Sequence, residues 1–328
     1  MVKMTKVAIL DDWQGVAQSS ADWSGLAQQA ELVFFKEPFS GPDELVKKLA
    51  DFDVIIAMRE RSAFPKEVID GLANLRMIAL TGARTWTMDL NACTNHHIVV
   101  CHTTATTASA ATAELALALL LAAARHVPAA DASMKDGRFQ QKLAAGRVLE
   151  GATLGVIGLG KIGSRMARYG QALGMNVLAW SQNLTDEAAR SAGARRVDKV
   201  ELLTESDAIS LHLVLSERSR GVIGAADLVK MKDDAILINT SRGPLIDESA
   251  LLENLRSGRL TAALDVYDRE PLPEDHPLRA LPNVVLTPHQ GYCTHEIYSQ
   301  FYRDSIENVL AYLAKTPIRM LNPDAWQG

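Results

Sequence analysis

The sequence predicts an α/β protein built from two doubly wound parallel sheets. Three observations carry that expectation: a chain of 328 residues, short apolar runs alternating with amphipathic segments, and a glycine-rich turn joining one such run to a helix. A chain this long exceeds what one core of ordinary size serves, so two domains are expected. Strand and helix patterns in alternation mean parallel strands with helices on both faces.

In the first hundred residues the strand-like runs are Val7 to Leu10, Leu32 to Phe35, Val54 to Ala57, Met77 to Leu80 and Ile98 to Val100. Between them, Asp43 to Ala50 and Pro65 to Leu72 carry helical spacing, and Pro65 suits a helix start. A long helix around Glu114 to His126 follows. The second series has strands at Thr153 to Ile157, Asn176 to Trp180, Ala208 to Leu213, Ala235 to Asn239, Thr261 to Asp265 and Val284 to Leu286. Thr294 to Lys315 reads as one closing helix. The expected division is a discontinuous, flavodoxin-like domain of residues 1–101 with 292–328, and a Rossmann domain of residues 102–291. Sheets of this kind take ligands at the carboxyl ends of their strands, so the cleft between the domains is the expected active site.

Composition narrows the function classes. A chain with 48% hydrophobic and 22% charged residues is ordinary for a soluble globular protein. A net charge of −5 without a long basic block gives no support to a nucleic-acid or membrane partner. Cys93, Cys101 and Cys293 form no CxxC pair and no even disulfide set, which fits a reducing cytoplasm. Met1 to Leu10 holds too short an apolar run for a signal peptide and reads as a first strand. Leu115 to Ala124, the most apolar stretch, is about half the length that crosses a bilayer. His96, His97, His102, His126, His212, His276 and His295 show no metal-ligand spacing, so no metal is expected.

Gly158-Leu159-Gly160-Lys161-Ile162-Gly163 lies between the apolar run ending at Ile157 and the helical segment from Ser164, with a second apolar run at Asn176. A lone GxGxxG is weak. Strand, glycine turn, helix and second strand within about 30 residues is the setting in which a dinucleotide's pyrophosphate rests on a helix N-terminus. Gly158 allows the tight turn, Gly160 lets the backbone approach the phosphates, and Gly163 lets helix and strand pack closely. NAD-preferring sites usually end the second strand in an acid that bonds the ribose hydroxyls. Here that strand ends in Trp180-Ser181-Gln182, which repels no 2′-phosphate. No arginine directly follows, and Lys161 is the nearest basic candidate. The choice between NADP and NAD stays open, with a lean to NADP.

Three later segments hold charged groups just after apolar runs: Asn239-Thr240-Ser241-Arg242-Gly243, Leu264-Asp265 through Glu270-Pro271, and Leu286-Thr-Pro-His289-Gln-Gly291. In order behind the glycine turn, SRG, DVxxxEP and TPH resemble the D-2-hydroxyacid dehydrogenase family, the relatives of phosphoglycerate dehydrogenase. The resemblance covers nearly the whole chain. It implies transfer of a hydride between NAD(P)H and a 2-oxo or D-2-hydroxy acid, with Arg242, Glu270 and His289 as the catalytic residues. It also implies that Asp265 holds the nicotinamide carboxamide, and that the loop Thr81-Gly82-Ala83-Arg84 holds the substrate carboxylate through backbone N–H groups. Thr240 and Gly291 belong to the implied cofactor site. The apolar helix around Leu115 to Ala124 and the segment Asp131 to Gly146 resemble the family's dimer-forming arm, so a homodimer is expected.

The chemistry is consistent with these residue types. Histidine is a natural proton donor to a carbonyl oxygen near neutral pH. A carboxylate on its second nitrogen, the role of Glu270, fixes the tautomer and favours the protonated form. An arginine's planar fork holds carboxylate and carbonyl oxygens together. Other assignments stay open here. His212 is either a wall of the nucleotide pocket or a structural residue, and Arg59 and Arg61 either reach substrate or are surface charges. Trp86 and Tyr292 either face a substrate bulkier than glyoxylate or are packing residues. Two alternatives to the leading function also stand: a nucleotide-sensing, corepressor-like binding protein, and oxidation of formate or phosphite. The formate branch carries glutamine where this chain has Glu270.

Overall fold

The computed structural model describes residues 4–328 apart from 84 and 105, so Arg84 of the expected carboxylate loop lies outside the described residues, as do the first three residues. The chain divides into two compact units, Met1–Thr107 with Cys293–Gly328, and Ala108–Tyr292. The sequence expectation put the first crossing six residues earlier. The fifth strand runs on to His102, whose N–H donates to the Arg319 carbonyl of the same unit.

In the first unit, β1 (Thr5–Ile9), β2 (Ala30–Phe34), β3 (Val54–Ala57), β4 (Met77–Leu80) and β5 (Val99–His102) form a parallel sheet in the order β2-β1-β3-β4-β5. This is the flavodoxin-like order, with its switch point between β1 and β3. β3 and β4 are buried at every position, as helix-covered parallel strands must be, and their sequences VIIA and MIAL are accordingly apolar throughout. The closing helix is His295–Leu313, capped by the Thr294 hydroxyl, and it packs on β4 and β5. Pro65 caps its helix, Lys66–Gly71, from just outside rather than opening it.

In the second unit, β6 (Thr153–Ile157), β7 (Asn176–Trp180), β8 (Arg195–Arg196), β9 (Ala208–Leu211), β10 (Ile236–Asn239), β11 (Thr261–Leu264) and β12 (Val284–Leu286) run in the order β12-β11-β10-β9-β6-β7-β8. This is the Rossmann order with a seventh strand, and its switch point lies between β6 and β9. The edge strand β8 is two exposed arginines, without the apolar run that signals a strand. The long helix begins at Ala108, six residues before its expected start, because the alanines preceding Glu114 are themselves good helix formers. Ala116, Leu119 and Leu120 bury against Val156, Met166 and Ile238. The helix stops at His126 (φ +50°), and Val127–Lys135 continues at an angle of 65°. Among the described residues no single helix is long and apolar enough to cross a membrane.

Candidate functional site

The glycine turn is shaped by close approach. Gly158 leaves β6 at φ +93°, a conformation that suits glycine. A Cβ on it would press into the carbonyl of His212, which follows the neighbouring β9, at 2.8 Å. A Cβ on Gly163 would collide with the Gly158 carbonyl, so this glycine lets the helix Gly163–Ala172 start directly over the turn. Gly160 faces open space, with no atom within 4 Å of where its Cβ would stand. Leu159 and Ile162 are half-buried and Lys161 is exposed. The three glycines therefore form a cradle that admits a phosphate backbone at the middle position. Two buried polar atoms, one past the end of β9 and one past the end of β10, have no protein partner among the described residues: His212 Nδ1 and Thr240 Oγ1. Burial pushes the His212 imidazole down to about 4, so it is neutral near pH 7. This turn, with unsatisfied polar atoms past the neighbouring strand ends, fits a dinucleotide. Ser181 is half-buried and Gln182 exposed at the end of β7.

At the far side of the same sheet, β10, β11 and β12 each deliver one chemical group past their carboxyl ends. Asn239, fully buried, braces the turn after β10 by accepting from Ser241 N–H (3.0 Å) and donating to the Arg242 carbonyl (2.8 Å). The Arg242 Nη1 donates to the Ser241 carbonyl at 2.7 Å. Gly243 then packs so tightly on the Tyr267 backbone that a Cβ there has no room. Tyr267 in turn donates its N–H to Glu270 Oε1 (2.9 Å), while Glu270 Oε2 meets His289 Nδ1 at 2.5 Å. The hydroxyl of Tyr267 lies within reach of the Leu264 and Thr287 carbonyls, at 3.2 and 2.8 Å, joining the ends of β11 and β12. Arg242, Glu270 and His289 are thus linked through one chain of contacts. The sequence signals for the braces Gly243, Tyr267 and Thr287 are weak, because each works on a segment distant along the chain, whereas Asn239 acts within its own turn.

Asp265, 1% exposed, anchors the His289 segment. Its Oδ1 accepts from the Thr287 hydroxyl (2.6 Å) and Gln290 N–H (2.8 Å), and its Oδ2 from Gly291 N–H (3.0 Å). Burial raises its carboxyl above the ordinary range, against the pull of these donors and of His289. Tyr292 is buried with its ring edge-on to His289 (centroids 6.1 Å apart). Trp86 is half-exposed.

In the first unit Arg59 adopts φ +51° and donates its N–H to Thr81 Oγ1 (2.9 Å), and its Nη1 lies 3.7 Å from where a Gly82 Cβ would sit. Gly82 (φ +85°) donates its N–H to Thr103 Oγ1 at 2.8 Å, while Ala83 is exposed. The Gly82 amide is therefore occupied within the protein, so among the described residues the anion-holding candidates here are Ala83 and the Arg59 guanidinium, whose Nε lies 3.5 Å from Glu60 Oε2. Arg61 is a brace. It donates to the Asp11 carbonyl (2.6 Å), Gln14 Oε1 (3.2 Å) and Tyr298 OH (3.3 Å), and stacks on Trp13 at 4.6 Å. Among the described residues no group of three or more His, Cys, Asp or Glu is placed to hold a metal ion.

A Rossmann unit with a phosphate cradle and a carboxylate–imidazole pair defines a dinucleotide-binding α/β protein. Comparison with known proteins specifies it further. Residues 117–291 match the model of the D-isomer specific 2-hydroxyacid dehydrogenase, NAD binding domain. A glyoxylate reductase from Thermococcus litoralis is 34% identical over 90% of this chain and 91% of its own length. A D-3-phosphoglycerate dehydrogenase from Archaeoglobus fulgidus is 38% identical over 84% of this chain, and the aligned part is 52% of that protein. The chain thus spans about half the length of the phosphoglycerate dehydrogenases it matches. A solved phosphoglycerate oxidoreductase from Vibrio cholerae has a TM-score of 0.90 and 35% identity, covering 95% of this chain and 99% of that one. The chain belongs to the D-isomer specific 2-hydroxyacid dehydrogenase family.

Proposed function

We propose that the protein is an NAD(P)-dependent reductase of small 2-oxo acids, or equally a D-2-hydroxyacid dehydrogenase, with His289 as the acid–base group. The observation that carries this reading is the 2.5 Å contact of His289 Nδ1 with Glu270 Oε2. It leaves Nε2 to serve the substrate oxygen, donating a proton as a 2-oxo acid is reduced and accepting one as a hydroxy acid is oxidised. When bound, the nicotinamide coenzyme supplies or accepts the hydride. Arg242 holds the substrate carboxylate and carbonyl oxygens in one plane. In the first unit, Arg59 and the backbone at Ala83 are the candidates for holding an anionic group. Asp265 keeps the segment carrying His289 in place and presents its remaining lone pairs to the nicotinamide carboxamide. The glycine turn and Thr240 hold the phosphates.

Glyoxylate and hydroxypyruvate are the expected substrates. They are named in the relatives' activities. NADP is the favoured coenzyme because Ser181 offers no carboxylate against a 2′-phosphate. Ser181→Asp is expected to lower the NADPH:NADH preference by about tenfold or more, read from kcat/KM for each. The exposed apolar side chains of Val127, Met134, Phe139 and Val148 in one stretch support a homodimer. A light-scattering mass near that of one chain contradicts it.

The test is a panel of 2-oxo acids with NADH and NADPH, followed at the nicotinamide absorbance. Turnover of glyoxylate or hydroxypyruvate is expected, ahead of phenylpyruvate in kcat/KM. Coenzyme binding without turnover across the panel would replace this reading with that of a nucleotide-sensing binding protein.

A further inference from the structure

Within the dinucleotide unit, Ser210 and His212 form a pair to which the glycine motif gives no role. Ser210 lies on β9, fully buried, and its Oγ is 2.9 Å from His212 Nε2. That imidazole nitrogen is the one hydrogen-bond partner of the Ser210 hydroxyl among the described residues. A buried hydroxyl hydrogen requires an acceptor. Nε2 meets that requirement only when it carries no proton of its own. The ring is neutral, because burial disfavours its charged form. A neutral imidazole has one N–H, so the proton must sit on Nδ1. Nδ1 is itself buried and has no protein partner among the described residues. The residue stands at the switch point of the sheet, and its backbone is packed against Gly158.

We propose that Ser210 is a positioning residue for coenzyme binding: its hydroxyl donates to His212 Nε2, keeps the proton on Nδ1, and so presents a buried N–H to an acceptor oxygen in the phosphate–ribose stretch of the dinucleotide. The proposal rests on the coenzyme reading above and deepens it. It explains why a serine stands inside an otherwise apolar strand, Ala208–Leu211. An apolar residue in its place releases the ring to the other tautomer, which would turn a bare lone pair toward the phosphates.

Two measurements test it without turnover. The first is the dissociation constant of NADPH and NADH, by fluorescence titration, for the wild type, Ser210→Ala, His212→Asn and His212→Gln. An asparagine amide reproduces the position of Nδ1–H, whereas a glutamine amide reproduces that of Nε2. His212→Asn is expected to stay within about threefold of the wild type, while His212→Gln and Ser210→Ala weaken binding about tenfold, the effect of one lost hydrogen bond to a charged acceptor. Equal losses in the two histidine variants, or unchanged binding in Ser210→Ala, overturn the proposal. The second is a two-bond proton–nitrogen correlation spectrum of the uncomplexed wild type, with His212 assigned by its absence from His212→Asn. A protonated Nδ1 is expected, and a protonated Nε2 overturns the proposal even if a variant fails to fold. A wild type that binds neither NADPH nor NADH overturns the coenzyme reading and this proposal with it. Binding with the wrong variant pattern overturns only the role of Ser210.

Discussion

Two buried aspartates stand past the carboxyl ends of strands in the two units, Asp11 after β1 and Asp265 after β11, each 1% exposed. Burial raises both carboxyls, Asp11 to about 6. Their surroundings differ. Both oxygens of Asp265 accept hydrogen bonds, from Thr287, Gln290 and Gly291. Asp11 Oδ1 accepts from the Ser62 hydroxyl at 3.0 Å, and Oδ2 has no protein partner among the described residues. A buried acid whose donors come from one segment fixes that segment. A buried acid left half-satisfied mainly costs stability. The first arrangement carries the histidine of the proposed reaction, and the second lies in a loop where Arg61 is the organising group.

The largest effect is expected at the group that Asp265 holds in place. His289→Gln should lower kcat/KM for 2-oxo acid reduction about 10²- to 10⁴-fold while leaving NADPH affinity intact, the signature of a lost general acid. Retained turnover would mean that the anchored segment is not the reacting one.

The same substitution at the two aspartates should then have opposite outcomes. In Asp265→Asn the amide turns an NH2 toward a backbone N–H in either orientation. Both kcat and stability are expected to fall, the latter by about 1–3 kcal/mol in urea unfolding. Asp11→Asn should stabilise. The folded state holds the Asp11 proton more tightly than the unfolded chain, so this group's contribution is fully present below the ordinary value of 3.8. It is lost as pH rises through about 6. Asparagine has no charge to bury and tolerates φ +60°. A gain on the order of 1–3 kcal/mol at pH 7, vanishing toward pH 4, is expected from unfolding curves across that range. Destabilisation at pH 7 would show that the Asp11 charge is needed.

How much of this was legible in the sequence follows from distance along the chain. β3, β4, β6, β7 and β12 lie where their apolar runs predict, and β3 and β4, buried at every position, must be apolar throughout. The paired arginines of β8 give no such sign. Arg242, Glu270 and His289 stand out as charges following apolar strands. Arg61 does not, because its partner Tyr298 lies 237 residues away and only the folded unit brings them together. The same holds for Gly243, which packs on the Tyr267 backbone, and for Tyr267, whose hydroxyl reaches the Thr287 carbonyl 20 residues away.

The smallest effect concerns the thiols. Burial pushes Cys93 and Cys101 up to about 12, whereas Cys293 is partly exposed. Mass spectrometry after brief alkylation of the native protein at pH 8 should find label on Cys293 alone. Label on Cys93 or Cys101 would mean that the first unit opens under those conditions.

The most direct test of the whole reading follows the hydride itself. The wild-type protein is mixed with glyoxylate or hydroxypyruvate and NADPH carrying deuterium on the transferred position of nicotinamide C4, and the product is analysed by mass spectrometry. The expected result is one deuterium at C2 of the hydroxy acid, absent with His289→Gln. Product without deuterium, or coenzyme bound while the oxo acid stays unchanged, would contradict the assignment of this site to hydride transfer.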